Sequence, residues 1–276
     1  MRLGFPSAFA IYYGDVMVEI TSKDNLLIKK ILKLNSSAKQ RKKLGMFVVE
    51  GLRISLDAML SNCQIDALLL TEKAISKYSE KLEKLIEYSS VTYIVKESIF
   101  NSISETETPQ GVLCVIKALD KKSLFDTIKD NGKFLALDGI QDPSNLGTIL
   151  RTAEAVGING VILSKDCCDI YSPKVVRGSM GAIFRLPYFT VDSICDFLLD
   201  NKNLESFASV VDCNAEKISN IDFPKSCVVV VGNEGNGVKQ ETIDACNQKF
   251  TIPMLGRAES LNASVAASII IWEMMK

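Results

Sequence analysis

The stretch Cys227-Val228-Val229-Val230-Val231-Gly232-Asn233-Glu234-Gly235-Asn236-Gly237 decides the fold class. Successive side chains of a strand point to opposite faces, so an unbroken apolar run leaves no face for water. Such a strand is covered on both sides, as in a parallel sheet sandwiched between helices. A glycine-rich turn then leaves its carboxyl end, where an open α/β sheet builds its ligand site and where backbone can approach a bound group. The spacing, G-x-x-G-x-G, differs from the G-x-G-x-x-G of dinucleotide folds, and no P-loop lysine follows it.

Working outward, FLALDGI (134–140), GVILS (160–164) and ASVVD (208–212) are similar apolar runs, and helical periods over 145–156 and 239–246 alternate with them. That alternation predicts a parallel sheet with helices on both faces. Upstream, MFVVEG (46–51), DALLLT (66–71), VTYIV (91–95) and GVLCVIK (111–117) read as shorter strands, with amphipathic helices over 52–61 and 72–88 between them. The fold class is therefore α/β, with a small N-terminal α/β domain over 21–117, a charged linker over 118–132 ending in Asn131-Gly132, and a parallel-sheet domain over 133–276. Residues 1–20 read as an N-terminal extension, with Met17 as an alternative start, and make a poor signal peptide.

Composition narrows the chemistry. The chain of 276 residues has no histidine, which removes the commonest general base and the commonest metal ligand together. Its eight cysteines form no C-x-x-C pair, so no metal site is expected, and they read as reduced core thiols of a cytoplasmic protein. The apolar C-terminal stretch 261–275 is too short to span a bilayer, so no membrane is expected. Net charge is only −1, yet residues 21–53 hold nine Lys/Arg against Asp24 and Glu50, a local excess of seven. Such a block is either a solvated helix face or a footprint for a phosphate backbone.

Three polar clusters sit where strands or loops meet helices. In 142–151 (DPSNLGTILR), Ser144 reads as the N-cap of a helix that Gly157 ends. Asn145 lies in its first turn, and Arg151 points nearly opposite the apolar stripe. A lone arginine there is ordinarily a surface residue, but Gly147 inside a helix costs roughly 1 kcal/mol against alanine, so something is expected to come close. The second cluster is the turn 232–237. The third, ESLNAS (259–264), follows a strand end Ile252-Pro253-Met254 and opens the last helix, with Glu259 or Ser260 as cap and Asn262 unexplained by capping.

In this order and spacing the clusters resemble the three motifs of the SpoU/TrmH branch of the SPOUT RNA methyltransferases. Asn145, Gly147 and Arg151 match the first; Gly232, Asn233, Glu234 and Gly237 the second; Ile252, Pro253, Met254, Ser260, Leu261, Asn262 and Ser264 the third. The resemblance covers 133–276. FVVEGLR (47–53) and TPQGVLCV (108–115) resemble the RNA substrate-binding domain that precedes many such enzymes.

The resemblance implies a C-terminal trefoil knot, a homodimer, and S-adenosyl-L-methionine held by Gly232, Asn233, Ile252, Met254, Leu261 and Asn262. It implies methyl transfer to a ribose 2′-hydroxyl of structured RNA, rRNA before tRNA, with Arg151, Asn145, Glu234, Ser260 and Asn262 as the catalytic set. Because a guanidinium stays protonated, Arg151 suits gripping an RNA phosphate and easing the hydroxyl's ionisation better than acting as a base, with Glu234 and Asn145 orienting it. Lys29, Lys30, Lys33, Lys39, Arg41, Lys42, Lys43 and Arg53 are then expected to face RNA phosphates. The rivals are a non-catalytic RNA-binding protein that keeps the fold and a nucleotide-dependent oxidoreductase, whose glycine spacing this chain lacks.

Overall fold

The computed structural model describes residues 17–119 and 132–276. They fall into two units, 17–119 with Tyr171–Arg177 and 132–170 with Gly178–Lys276. The expected extension and linker therefore lie mostly outside the described residues. The exception is Met17–Ile20, which is no extension: it forms strand β1 and pairs in parallel with a strand at Thr92–Val95.

The first unit continues with α1 (Leu26–Ser36), α2 (Ala38–Leu44), β2 (Met46–Glu50), α3 (Leu52–Leu60), β3 (Ile65–Leu70), α4 (Glu72–Tyr88), β4 (Thr92–Val95), α5 (Glu97–Ile103) and β5 (Val112–Lys117). Its sheet runs β1-β4-β3-β5-β2, with β5 antiparallel to both neighbours. The two upstream stretches that carried the resemblance are fastened together here. Glu50 accepts hydrogen bonds from the Ser104 and Thr106 hydroxyls and from the Glu105 N–H, while Gln110 Oε1 accepts the Leu52 N–H at 2.9 Å. Gly111 has φ +75°, and a Cβ there would meet Thr71 Oγ1 at 2.2 Å, so glycine is required. Tyr171 stacks on Phe47 with ring centroids 4.5 Å apart, so a short segment from far along the chain belongs to this unit.

The second unit comprises β6 (Lys133–Asp138), α6 (Pro143–Val156), β7 (Gly160–Ser164), α8 (Ala182–Arg185), β8 (Tyr188–Val191), α9 (Ile194–Asp200), β9 (Glu205–Ser209), β10 (Glu216–Lys217), β11 (Cys227–Gly232), α10 (Gln240–Ala245), β12 (Gln248–Thr251) and α11 (Ala263–Met274); α7 (Pro173–Gly178), which falls between β7 and α8 in the chain, belongs to the first unit up to Arg177. Its sheet order is β10-β12-β9-β11-β6-β7-β8 and every pairing is parallel. All six residues of β11 are buried. Each of its valines contributes about 1.5–3 kcal/mol over an exposed one.

β9 occupies 205–209, three residues before the expected 208–212. Polar Ser206 hid the strand: it is buried, with its N–H and hydroxyl both donating to Asn247 Oδ1 at 2.8 Å. All eight cysteines are free, but only Cys63, Cys114 and Cys227 are buried as the expectation of core thiols requires; Cys167, Cys168, Cys195 and Cys246 are partly exposed and Cys213 is exposed. Burial pushes the Cys114 and Cys246 thiols up to about 12, so neither is a thiolate at neutral pH.

Candidate functional site

The ends of β9, β11 and β12 and the approach to α11 enclose a cavity of about 390 Å³. This is the carboxyl edge of a parallel sheet, where a ligand site is expected. Of the six residues expected to hold a cofactor, Gly232, Asn233, Ile252, Met254 and Leu261 line it, and Asn262 does not. Ser260 and Glu234 also reach the lining; Asn145 and Arg151 do not. The volume and the mixed lining suit a nucleoside with a short tail: apolar Val231, Ile252, Met254, Leu261 and Ile270 beside polar turns.

The turn after β11 is held by its own backbone. Asn233 and Gly237 exchange N–H···O bonds of 3.0 Å each, and Asn233 Oδ1 accepts the Gly235 and Asn236 N–H groups. A Cβ on Gly232 would lie 2.0 Å from the Gly237 carbonyl carbon, so only glycine allows the turn to fold back. Beyond it, the buried Asp138 at the end of β6 accepts from Thr242 Oγ1 at 3.0 Å and from the Lys239 N–H at 3.2 Å. The Lys239 ammonium spans Asp138 at 3.6 Å and Asp166 at 2.7 Å. Neither Asp138 nor Lys239 was nominated from sequence, because their pairing joins positions a hundred residues apart.

Side chains from all three clusters join in one chain of hydrogen bonds. Asn262 Nδ2 donates to Asn145 Oδ1 at 3.0 Å, and Asn145 Nδ2 donates to Glu234 Oε1 at 2.9 Å. Glu234 also accepts the N–H groups of Asp142 at 3.0 Å and Gln141 at 3.1 Å, and Asn233 Nδ2 at 3.4 Å. Burial works to raise the Glu234 carboxyl, but the bonds from Asn145, Asp142 and Gln141 outweigh it and hold the group below its ordinary value. Glu234 is therefore an ionised brace, engaged on both oxygens, and a poor proton acceptor.

Two expected caps are corrected. Asp142, not Ser144, is the N-cap of α6, accepting the Ser144 and Asn145 N–H groups, with Pro143 in the first turn. Asn262, not Glu259 or Ser260, caps α11, its Oδ1 accepting the Ser264 and Val265 N–H groups. Capping thus uses the oxygen of Asn262 and leaves its amide to reach Asn145. Gly147 also has a structural explanation: its Cα would lie 3.4 Å from a Cβ at Gly178, so two backbones pack glycine to glycine.

Arg151 departs from expectation. It is exposed on α6, and no described residue makes a hydrogen bond or ion pair with it. Asn145 and Glu234 bond to each other and do not orient it. Its position is set by α6 alone, leaving a cation open to solvent.

The basic block of the first unit divides by partner. Arg41 is corrected outright: only 6% exposed, its guanidinium donates to the Leu34 and Asn35 carbonyls at the end of α1. It is an internal C-terminal cap. Lys29 is paired with Asp24 at 2.8 Å and Lys30 with Asp66 at 3.4 Å. Lys33, Lys39, Lys42, Lys43 and Arg53 are exposed, and Lys39, Lys42 and Lys43 share one face of α2 by their i, i+3, i+4 spacing. Among the described residues no cluster could hold a metal ion, and no helix is long and apolar enough to cross a membrane.

Comparison with known proteins matches this geometry to a family. Residues 132–272 match the SpoU rRNA Methylase family and residues 25–114 an MRM3-like substrate binding domain. The 23S rRNA (guanosine(2553)-2′-O)-methyltransferase RlmP of Bacillus subtilis is 28% identical over 269 residues, covering 94% of this chain and 99% of that protein. The 23S rRNA (guanosine-2′-O-)-methyltransferase RlmB of Neisseria meningitidis serogroup B is 32% identical over 206 residues, covering 73% and 82%. A crystal structure of an AdoMet-bound rRNA methyltransferase from Sinorhizobium meliloti superposes with a TM-score of 0.83 at 28% identity, over 94% of this chain and 97% of that one. With both the cavity and the three-cluster relay in the matched region, the chain belongs to the SpoU family of rRNA methylases.

Proposed function

We propose that this protein transfers the methyl group of S-adenosylmethionine to a ribose 2′-hydroxyl of ribosomal RNA. The observation that carries the reading is the cavity at the strand ends, lined by Gly232, Ile252, Met254 and Leu261 and bordered by the Glu234–Asn145–Asn262 relay. The cofactor, when bound, supplies an already activated methyl group, so the chain's own task is alignment and charge stabilisation. Gly232, Asn233, Ile252, Met254 and Leu261 would hold it. Asn262 and Asn145 keep the third and first motifs in register with Glu234.

Arg151 acts as the electrostatic anchor. A permanently charged guanidinium with no described internal partner binds an RNA phosphate and stabilises the oxyanion as the ribose hydroxyl loses its proton. Lys33, Lys39, Lys42, Lys43 and Arg53 contact the RNA backbone through the first unit. The relatives named for 23S rRNA favour that substrate over tRNA, and an rRNA target agrees with a cytoplasmic location. The trefoil knot and the homodimer are part of the same proposal. For the dimer, the exposed Val265 and Trp272 and the partly exposed Ile269 form an apolar stripe on α11.

The test is to map 2′-O-methyl positions in cellular RNA with and without this gene, then restore the missing position with purified protein and S-adenosylmethionine. Loss of a single rRNA methylation, recovered in vitro, is the expected result. An unchanged rRNA map with a lost tRNA position would transfer the substrate to tRNA, and no change in either would remove the activity.

A further inference from the structure

Past the end of β9 the backbone runs along the cavity wall, with the Val210 N–H donating to the Phe250 carbonyl at 2.9 Å. Val211 is largely exposed, and both it and Asp212 line the cavity. None of the three motifs includes it. The carboxylate is held in place from two sides: Asp212 Oδ1 accepts the Asn214 N–H at 2.9 Å, and Oδ2 accepts Lys249 Nζ at 3.0 Å. The Asn214 N–H, followed by Lys249, holds the carboxyl below its ordinary value, so it is ionised at neutral pH.

An ionised carboxylate accepts about four hydrogen bonds, and here each oxygen has spent one. Each oxygen therefore keeps a free lone pair on a side chain that is still 32% exposed. Two neighbouring hydroxyls on a five-membered sugar present two donors at the spacing of a carboxylate. The other lining carboxylates serve less well. Glu234 is saturated by its brace role, and Glu259 is an exposed side chain on a loop with no described partner to fix its rotamer. Immobilising such a side chain costs affinity, whereas Asp212 is already ordered.

We infer that Asp212 is the ribose-binding residue of the cofactor cavity, its two oxygens receiving the 2′- and 3′-hydroxyls of the adenosine. The inference rests on the S-adenosylmethionine reading and adds to it a residue that sets nucleoside specificity.

Calorimetry with S-adenosylhomocysteine and its 2′-deoxy analogue tests it on the full-length protein. Wild type should bind the deoxy compound roughly ten- to a hundredfold more weakly, the range for one lost hydrogen bond to a charged group. Asp212→Asn should weaken S-adenosylhomocysteine by a similar factor and shrink the discrimination against the deoxy compound to about twofold or less. Lys249→Met, which removes the ion pair but keeps the carboxylate, should retain the discrimination. If wild type binds both compounds equally, or if Asp212→Asn weakens both by the same factor, Asp212 only shapes the loop and the inference fails while the cofactor reading stands. If wild type binds neither compound, the cofactor reading fails, and the inference with it. The wild-type comparison decides even if the variant folds poorly.

Discussion

Asn145→Asp replaces one amide by a carboxylate at the centre of the relay. One oxygen of the introduced carboxylate could still accept from Asn262, but the other would face Glu234 Oε1, which the amide now approaches at 2.9 Å. The lost hydrogen bond to a charged group is worth about 1.5–3 kcal/mol. Two carboxylates about 4 Å apart repel by roughly 4 kcal/mol at an effective dielectric constant near 20. Glu234 is exposed, so the two groups separate and water screens them, and the repulsion falls to about 1 kcal/mol. A total of about 2.5–4 kcal/mol at pH 7 follows, against about 1.5–3 kcal/mol for Asn145→Ala, which loses the same bond without the repulsion and leaves Glu234 its two backbone donors.

The pH dependence separates the two contributions. In wild type the folded Glu234 carboxyl lies below its unfolded value of 4.5, so its stabilisation is present above pH 4.5 and is lost as pH falls through the folded value. In Asn145→Asp the paired carboxylates have a folded pKa raised above the unfolded value. Relative stability is then greatest at low pH and is lost as pH rises from the unfolded value through the raised one. Urea unfolding from pH 4 to pH 8 should show the stability gap between variant and wild type widening with pH. A gap that is absent at pH 7, or that does not change with pH, would refute the placement of Asn145 against Glu234.

Arg151→Ala should reduce methyl transfer by about a hundredfold or more while leaving the melting temperature and S-adenosylhomocysteine affinity unchanged; unaffected turnover would remove it from the mechanism. Gly232→Ala drives a Cβ to 2.0 Å from backbone, so it should abolish cofactor binding in calorimetry and lower the melting temperature. Exchanging Lys39, Lys42 and Lys43 together for Gln should flatten the salt dependence of RNA binding by about two to three units of slope. Arg41→Ala should instead cost about 1–3 kcal/mol of stability, measured by denaturation, with the salt slope unchanged.

Period and punctuation carried much of the architecture. Buried valines 228–231 could only be an interior strand, and Gly157 ends α6 with φ +93° as its position suggested. The same local signals misplaced β9, because Ser206 is polar in sequence and satisfied only by Asn247, forty-one positions away. Net charge in a window could not separate Arg41 from its neighbours, since its burial depends on α1 ending where its guanidinium can reach two carbonyls.

For the site, residue types and order pointed to Asn145, Glu234 and Asn262, but not to what each one touches. Asn262 and Asn145 are 117 positions apart, and only the packing of α11 against α6 brings an amide and a carbonyl within 3.0 Å. Capping chemistry would suit Ser260 as well as Asn262; the turn at which α11 starts decided between them. Sequence by itself determined which groups were present and on which kind of element, because periodicity and turn chemistry act over a few residues. Tertiary structure decided which of them are free: Arg151 without a described partner, Arg41 and Glu234 fully engaged, because hydrogen-bond satisfaction is settled by neighbours in space.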